Sequence, residues 1–376
     1  MEFKLIIKKL NNTLTNVESE LFDTWYNQSP KHKLYFNNVE KNYSKDIEFI
    51  DLEKGWKSLN KKLKPQKPKS NYWKHIAAAA IIVFFISISF LFKDSKINSE
   101  KNTQITNQSI APGTNKATLT LEDGVVIELG KGEDFTSNHA TSNGEKLIYK
   151  KQTETPKEIV YNYLTIPRKG EYHIVLSDGT QVWLNSESQL KYPVFFNNNT
   201  NRKVELVYGE AYFDVSPSSS HNGTKFIVTT KNQDVEVIGT EFNIKAYNDE
   251  DIISTTLVEG KINIEVNSSK EVLNPEQQFV LNKINNDFII THVDTYSETA
   301  WRKGLFSFKN KSLKDIMKVL SRWYDIDVVF ENKSLEHIEF KGVISKNQNI
   351  EDILTLIKDT NFINTYEINK KTIIIK

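Results

Sequence analysis

TLTLEDGVVIEL at 118–129 and HIVLSDGTQVWL at 173–184 are two copies of one pattern, apolar-x-apolar-x-Asp-Gly-x-x-apolar-x-apolar, offset by 55 residues. Leu119 and Leu121 alternate toward an Asp-Gly turn, and Ile127 and Leu129 alternate away from it. That is a hairpin with one buried face. Ile174, Leu176, Val182 and Leu184 repeat the arrangement. The pair predicts β architecture and carries no chemistry.

Downstream, the apolar phase of the strands changes twice, each time at a glycine. Val204, Leu206 and Tyr208 give way past Gly209 to Ala211, Phe213 and Val215. Val235 and Val237 give way past Gly239 to Phe242, Ile244 and Ala246. A phase change at glycine predicts a bulge or strand bend, because one extra residue turns every later side chain over. Glu259-Gly260 reads as a tight turn pairing Leu257 with Ile262, Thr255 with Ile264 and Ile253 with Val266. The expectation for 117–295 is an all-β domain, an antiparallel sheet stack or a solenoid-like one.

From 301 to 376 the rhythm is β-α-β-β-α-β. LFSF is followed by a helix capped by Ser312 with Asp315. Strands at 325–330 and 338–344 come next, then a helix capped by Asn349 with Asp352, then YEINKKTIIIK as one or two strands. This predicts a small α+β domain with helices on one sheet.

Upstream, 94–116 is a polar linker, and IAAAAIIVFFISISFLF at 76–92 has no charge. Seventeen residues reach about 26 Å, near the hydrocarbon thickness, with Tyr72, Trp73, Lys74 and Lys93 at interfacial depth. A transmembrane helix over 73–93 is expected; a buried core helix is the other reading. Eight lysines from Lys54 to Lys74 precede the run without an acid, so the positive-inside rule puts the N-terminus in the cytoplasm and the rest in the periplasm. The same lysines would also suit nucleic acid, but a topology signal is the simpler reading. Residues 1–72 read as a small all-α cytoplasmic module. Thr15 and Glu18 form a capping box before Leu21, Phe22 and Trp25, and further helices follow at 31–43 and from Asp46 through Trp56 and Leu59. These aromatic stripes fit either a small core or a face completed by a partner.

Composition narrows the chemistry. Forty-nine basic and forty-eight acidic residues in 376 give a net charge of +1, which argues against general nucleic-acid binding. The absence of cysteine removes thiol catalysis, thiolate zinc and iron–sulfur clusters. The seven histidines have no ligand spacing, and no Walker loop, His-Glu-x-x-His pair, nucleophile elbow or complete dinucleotide fingerprint occurs. Asp123, Asp178 and Glu259 stand beside turn glycines, where turn chemistry accounts for them. No enzyme, cofactor or metal is expected.

LSDGTQVWLNSESQLKYP at 176–193, RKVELVYGEAYFDV at 202–215, VEVIGTEFNIKAYND at 235–249 and TTLVEGKINIEV at 255–266 resemble, in order and spacing, the periplasmic domain of the FecR family of anti-sigma regulators. WRKGLFSFKN, LKDIMKVLSRWYDIDVVF and IEFKGVIS resemble the domain that follows in Bacteroidetes members, similar to the short N-terminal domain of secretins and TonB-dependent receptors. The resemblance implies a single-pass inner-membrane regulator. Its inner module would hold an extracytoplasmic-function sigma factor, with Leu21, Trp25, Trp56 and Leu59 as candidate contacts. Its outer part would meet the signalling domain of a TonB-dependent outer-membrane receptor and so control genes for iron-chelate or glycan uptake. Some relatives cut themselves at a Gly-Thr bond, and Gly239-Thr240 matches that position; Gly239 equally serves the bend deduced above. The competing readings are an envelope scaffold or tether with no sigma partner, and a protein whose only catalysis is self-cleavage.

Overall fold

The computed structural model describes residues 9, 14–28, 32–33, 36, 110–151, 158–197, 200–267 and 269–376. The chain divides into two units, Met1–Asn102 and Thr103–Lys376.

In the first unit, helix α1 (Asn16–Gln28) starts at the capping box read from sequence. The Thr15 N–H donates to Glu18 Oε2 at 3.0 Å and the Glu18 N–H to Thr15 Oγ1 at 3.3 Å, satisfying two orphan amides. Phe22 and Phe36 are buried together, edge to face at 5.1 Å, with Leu14, Trp25 and Tyr26 around them. The helices expected over 31–43 and from Asp46 lie almost wholly outside the described residues.

The second unit opens with eighteen strands. These are β1 (Thr114–Thr120), β2 (Val126–Gly130), β3 (Phe135–Thr136), β4 (Ala140–Ser142), β5 (Lys146–Tyr149), β6 (Tyr161–Ile166), β7 (Gly170–Val175), β8 (Gln181–Leu184) and β9 (Ser188–Pro193). They continue with β10 (Arg202–Asp214), β11 (Phe226–Thr229), β12 (Asp234–Val237), β13 (Glu241–Ala246), β14 (Ile252–Glu259), β15 (Ile262–Val266), β16 (Ser269–Leu273), β17 (Gln277–Asn282) and β18 (Phe288–His292).

Both repeated hairpins form, β1 with β2 and β7 with β8. Six strands close a barrel in the order β1-β7-β8-β10-β9-β6 and back to β1. From β10 two sheets run outward, β11-β12-β15-β16 on one side and β13-β14-β17-β18 on the other. Their inward side chains make one core, from Leu119 through Phe213 to Leu281.

The phase changes mark where the chain passes between sheets. Up to Tyr208, β10 pairs with β9; from Gly209 it pairs with β13. Gly209 has φ +100°, and a Cβ there would lie 2.4 Å from Ser188 Cα, so only glycine fits. Gly239 sits between β12 in one sheet and β13 in the other.

The hairpin expected at Glu259-Gly260 does not form. Leu257 pairs with Phe242, and Ile262 pairs with Val237 and Leu273. Both segments alternate toward the same core, but from opposite sheets, a difference that alternation does not encode.

After β18 come a short helix α2 (Thr295–Thr299), a 3₁₀ turn Ala300–Lys303, β19 (Leu305–Ser312), α3 (Leu313–Tyr324), β20 (Asp327–Phe330), β21 (Glu339–Ser345), α4 (Ile350–Asp359), β22 (Tyr366–Asn369) and β23 (Thr372–Ile375). The Asp315 N–H donates to Ser312 Oγ at 3.1 Å, whereas Asn349 caps α4 by position without a side-chain bond. Strands β19 and β21 form one sheet and β20-β23-β22 another, so the single sheet expected here is corrected to two. The helices share a separate core around Leu320, Trp323, Ile353 and Leu354.

Among the described residues no helix is long and apolar enough to cross a membrane. The longest, α1, has thirteen residues, about 20 Å, where a span needs about twenty residues. The expected transmembrane helix over 73–93 therefore has no support among the described residues, and the segment 76–92 itself lies outside them. The single-pass inner-membrane placement, the cytoplasmic and periplasmic sides and the transmembrane form of the function rested on it and are withdrawn with it. The sheet stack or solenoid expected over 117–295 is corrected to a barrel with two attached sheets, and with the helices from Thr295 on the second unit as a whole is α+β.

Candidate functional site

A network of polar contacts forms the joint between the barrel and the C-terminal domain. It is built from both sides. Helix α3 is capped by Asp325 in the left-handed conformation, whose N–H returns to Ser321 O. Arg168, on the turn between β6 and β7, adds to this end: its Nη2 donates to Ser321 O at 2.8 Å and Ile326 O at 2.5 Å. The Lys169 N–H donates to Arg322 O at 2.7 Å. A guanidinium at a helix C-terminus also meets the negative end of the helix dipole.

From the other side, α3 sends Arg322 onto the β13–β14 connection and the β8–β9 turn. Its side chain is 5 % exposed and meets Asp249 at 2.6 Å, Glu250 at 3.1 Å and Glu187 at 3.3 Å. The guanidinium lies over the buried Tyr247 ring, whose hydroxyl donates to Ser186 O at 3.0 Å. Burial alone would lower the Arg322 pKa, but the tyrosine and the acids around it hold it above its ordinary value. Glu250 also pairs with Lys245 at 2.9 Å.

A second cation, Lys346, is 1 % exposed and donates to Glu171 Oε2 of β7 at 2.5 Å. Its ammonium stands 3.8 Å from the Trp323 ring centroid, and burial pushes its pKa down against the pull of Glu171. Trp323 in turn lies so close to Gly113 that a Cβ there would be 2.7 Å from the ring.

The connecting segment is fastened as well. Trp301 Nε1 donates to Asn243 Oδ1 at 3.3 Å, and Asn243 and Asn185 donate to the two oxygens of Glu210. Burial raises the Glu210 pKa, and Lys245 and the two amides draw it back. Arg302 covers Tyr212 at 3.9 Å and Trp183 at 5.0 Å. His173 stacks on Trp183 at 4.3 Å, and burial, then Lys146, lowers its pKa to about 4. Between this aromatic row and the connecting segment lies a cavity of ≈ 430 Å³.

The joint offers no nucleophile with a base and no metal cage; among the described residues no group of three or more His, Asp or Glu forms one. What it does is bind two domains together.

The residues singled out from sequence lie elsewhere. Leu21 is 50 % exposed on α1, while Trp25 is half-buried and stacked on His32 at 4.8 Å. Trp56 and Leu59 lie outside the described residues.

At Gly239-Thr240 the glycine has φ +141° and abuts Pro217. Thr240 is buried, and its hydroxyl donates to Lys261 O at 3.2 Å, a carbonyl and not a base. Arg168, Arg322 and Lys346 were not legible as a site. Their one signal is Arg322 inside Ser-Arg-Trp-Tyr-Asp, a cation within an aromatic cluster near a helix end.

Comparison with known proteins gives a consistent assignment. The model described as "FecR protein" matches residues 162–263, and that described as "FecR, C-terminal" matches 305–375. Two crystal structures of a chain from Parabacteroides distasonis ATCC 8503, assigned as an anti-sigma factor, are similar at TM-score 0.52 and 27 % identity. The similarity covers 57 % of this chain and 98 % of that one. No curated protein matches. The chain thus carries a FecR domain followed by a FecR C-terminal domain, and in structure it resembles an anti-sigma factor of the Bacteroidetes FecR type.

Proposed function

We propose that the chain is a signal-relay protein of the anti-sigma kind. Its two FecR domains and the Parabacteroides relative are consistent with a relay between an extracytoplasmic-function sigma factor and an outer-membrane receptor. On this reading the C-terminal domain and barrel receive the receptor's signalling domain, and the exposed Leu21 edge of α1 with Trp25 contributes to the sigma contact. A receptor that binds two states of the relay equally shifts nothing, so the receiving part must pass on strain or displacement as a unit.

The observation that carries the reading is the reciprocal joint, Arg168 into α3, Arg322 onto the β13–β14 connection and Lys346 into the barrel. A domain held this way does not absorb a push by swinging loose. The scaffold reading provides no role for the exposed Leu21 on α1. We take the Gly239-Thr240 peptide to be a crossing between sheets that stays intact, since the Thr240 hydroxyl faces a carbonyl.

The test is co-purification of the full-length chain with the sigma factor encoded beside it. Retention that Leu21→Glu reduces supports the relay. No retention of any sigma factor leaves the scaffold.

A further inference from the structure

A second cavity, of ≈ 480 Å³, opens among the Asp178-Gly179 turn, the start of β10 and the 3₁₀ turn Ser218–His221. Its lining includes Lys151, Ser177, Asp178, Arg202, Ser216 and His221. Asp178 holds the turn, accepting from the Thr180 N–H at 2.9 Å and the Thr180 hydroxyl at 2.8 Å, as the sequence led one to expect. It also accepts from Arg202 at 2.7 Å, in a pair whose side chains are both 2 % exposed. Both carboxylate oxygens are therefore engaged. Arg202 spends two more terminal N–H groups on Ser216 O at 3.0 Å and Thr224 O at 3.2 Å, and its guanidinium faces the Phe226 ring.

Two buried polar atoms here have no partner, Arg202 Nε and Ser177 Oγ, both on residues more than nine-tenths buried. Native interiors rarely leave such groups unmet. Arg202 Nε–H only donates, the Ser177 hydroxyl is free to donate, and Lys151, exposed at the rim, only donates. Ser216 Oγ and His221 Nε2 already bond each other at 2.8 Å. Burial and the neighbouring Arg202 hold the imidazole pKa below its ordinary value, so it is neutral at pH 7. Arg202 Nε, Ser177 and Lys151 can thus all donate, and the unpaired charge is positive.

We propose that this cavity binds a small oxyanion, a carboxylate or phosphate group, with Arg202 Nε, Ser177 and Lys151 as its donors. The Arg202–Asp178 pair fixes the guanidinium so that one edge remains for the ligand.

The experiment is titration of the full-length chain with inorganic phosphate and, separately, with citrate, at constant ionic strength set with chloride. Melting temperature and the His221 ring resonances are followed. Saturable stabilisation by either anion is expected, together with a rise in the His221 pKa, since a bound anion favours the imidazolium. Ser177→Ala and Lys151→Ala are each expected to raise the half-saturating concentration about tenfold, the equivalent of one charge-assisted hydrogen bond. The anion-free melting temperature of Ser177→Ala should stay level or rise, because an unpartnered buried hydroxyl is removed; a structural serine would lower it. Lys225→Ala, on an exposed lysine paired with Glu236, should leave the response intact. A hexaglutamate peptide identifies the source: binding of citrate alone assigns a free small acid, and binding of both assigns an acidic protein segment. No saturable response to either anion, or an unchanged response in both cavity variants, overturns the site.

Discussion

Arg322 of α3 lies face-on over the ring of Tyr247, 3.7 Å from its centroid, with carboxylates of Glu250 and Asp249 at 3.1 and 2.6 Å. A helix from one domain thus places its charge on an aromatic platform of the other. That relationship fixes how the two FecR parts are joined, and it sets the first prediction.

Arg322→Ala should cost about 2–3 kcal/mol. It takes one of two cations from the buried Glu250, which keeps only Lys245, and uncovers Tyr247, while the more exposed Asp249 and Glu187 recover water. Arg322→Lys should recover less than half of this, because an ammonium lacks the planar fork that stacks and pairs together. Urea denaturation followed by tryptophan fluorescence reads both variants.

His173 should make the chain sensitive to acid. Burial and Lys146 hold its folded pKa near 4, below the ordinary 6.5. The unfolded chain therefore binds more protons between these values, so stability is full above pH 6.5 and is lost as pH falls toward 4. The loss should be about 1–2 kcal/mol after allowance for partial exposure. His173→Gln should flatten that part of a stability-against-pH curve; an unchanged slope would count against it.

At the alkaline end the sign reverses. Burial raises the pKa of Tyr149, Tyr192 and Tyr247 above 10. Their contribution is present below pH 10 and disappears as pH rises through the folded values. Denaturant midpoints measured from pH 8 to 11 should fall steeply past 10, and less steeply in Tyr247→Phe.

Leu21→Glu changes a half-exposed side chain, so helix stability should move by no more than about 0.5 kcal/mol. Sigma-factor retention should fall about tenfold or more, the loss of one apolar anchor. Circular dichroism and pull-down together separate the two effects.

The chain should remain one band on a denaturing gel, because no base meets the Thr240 hydroxyl among its bonds. Two fragments that merge into one in Thr240→Ala would establish cleavage after Gly239.

Much of the fold could be read from the sequence where the signal was local. The Asp-Gly hairpins, the Thr15–Glu18 and Ser312–Asp315 caps, and the breaks at Gly209 and Gly239 all rest on residues within a few positions of each other. What the breaks meant was not local. A phase flip looks the same for a bulge as for a strand leaving one sheet for another, and so the barrel closure and the Gly260 crossing were not visible. The joint was hidden for the same reason. Arg322 is separated from Asp249 by seventy-three positions and Lys346 from Glu171 by 175, and no period in the sequence links them. Hydropathy at 76–92 spoke only of a segment that the described helices do not include.

Hydrogen exchange on the full-length chain tests most directly whether the barrel and C-terminal domain act as one body. In the unmodified chain, peptides from β10 and α3 should open with the same free energy. In Arg322→Ala/Lys346→Met, α3 should open about 2 kcal/mol or more before β10. If α3 already opens independently of β10 in the unmodified chain, or if the double variant leaves the two opening together, the joint does not couple the domains and the relay built on it fails.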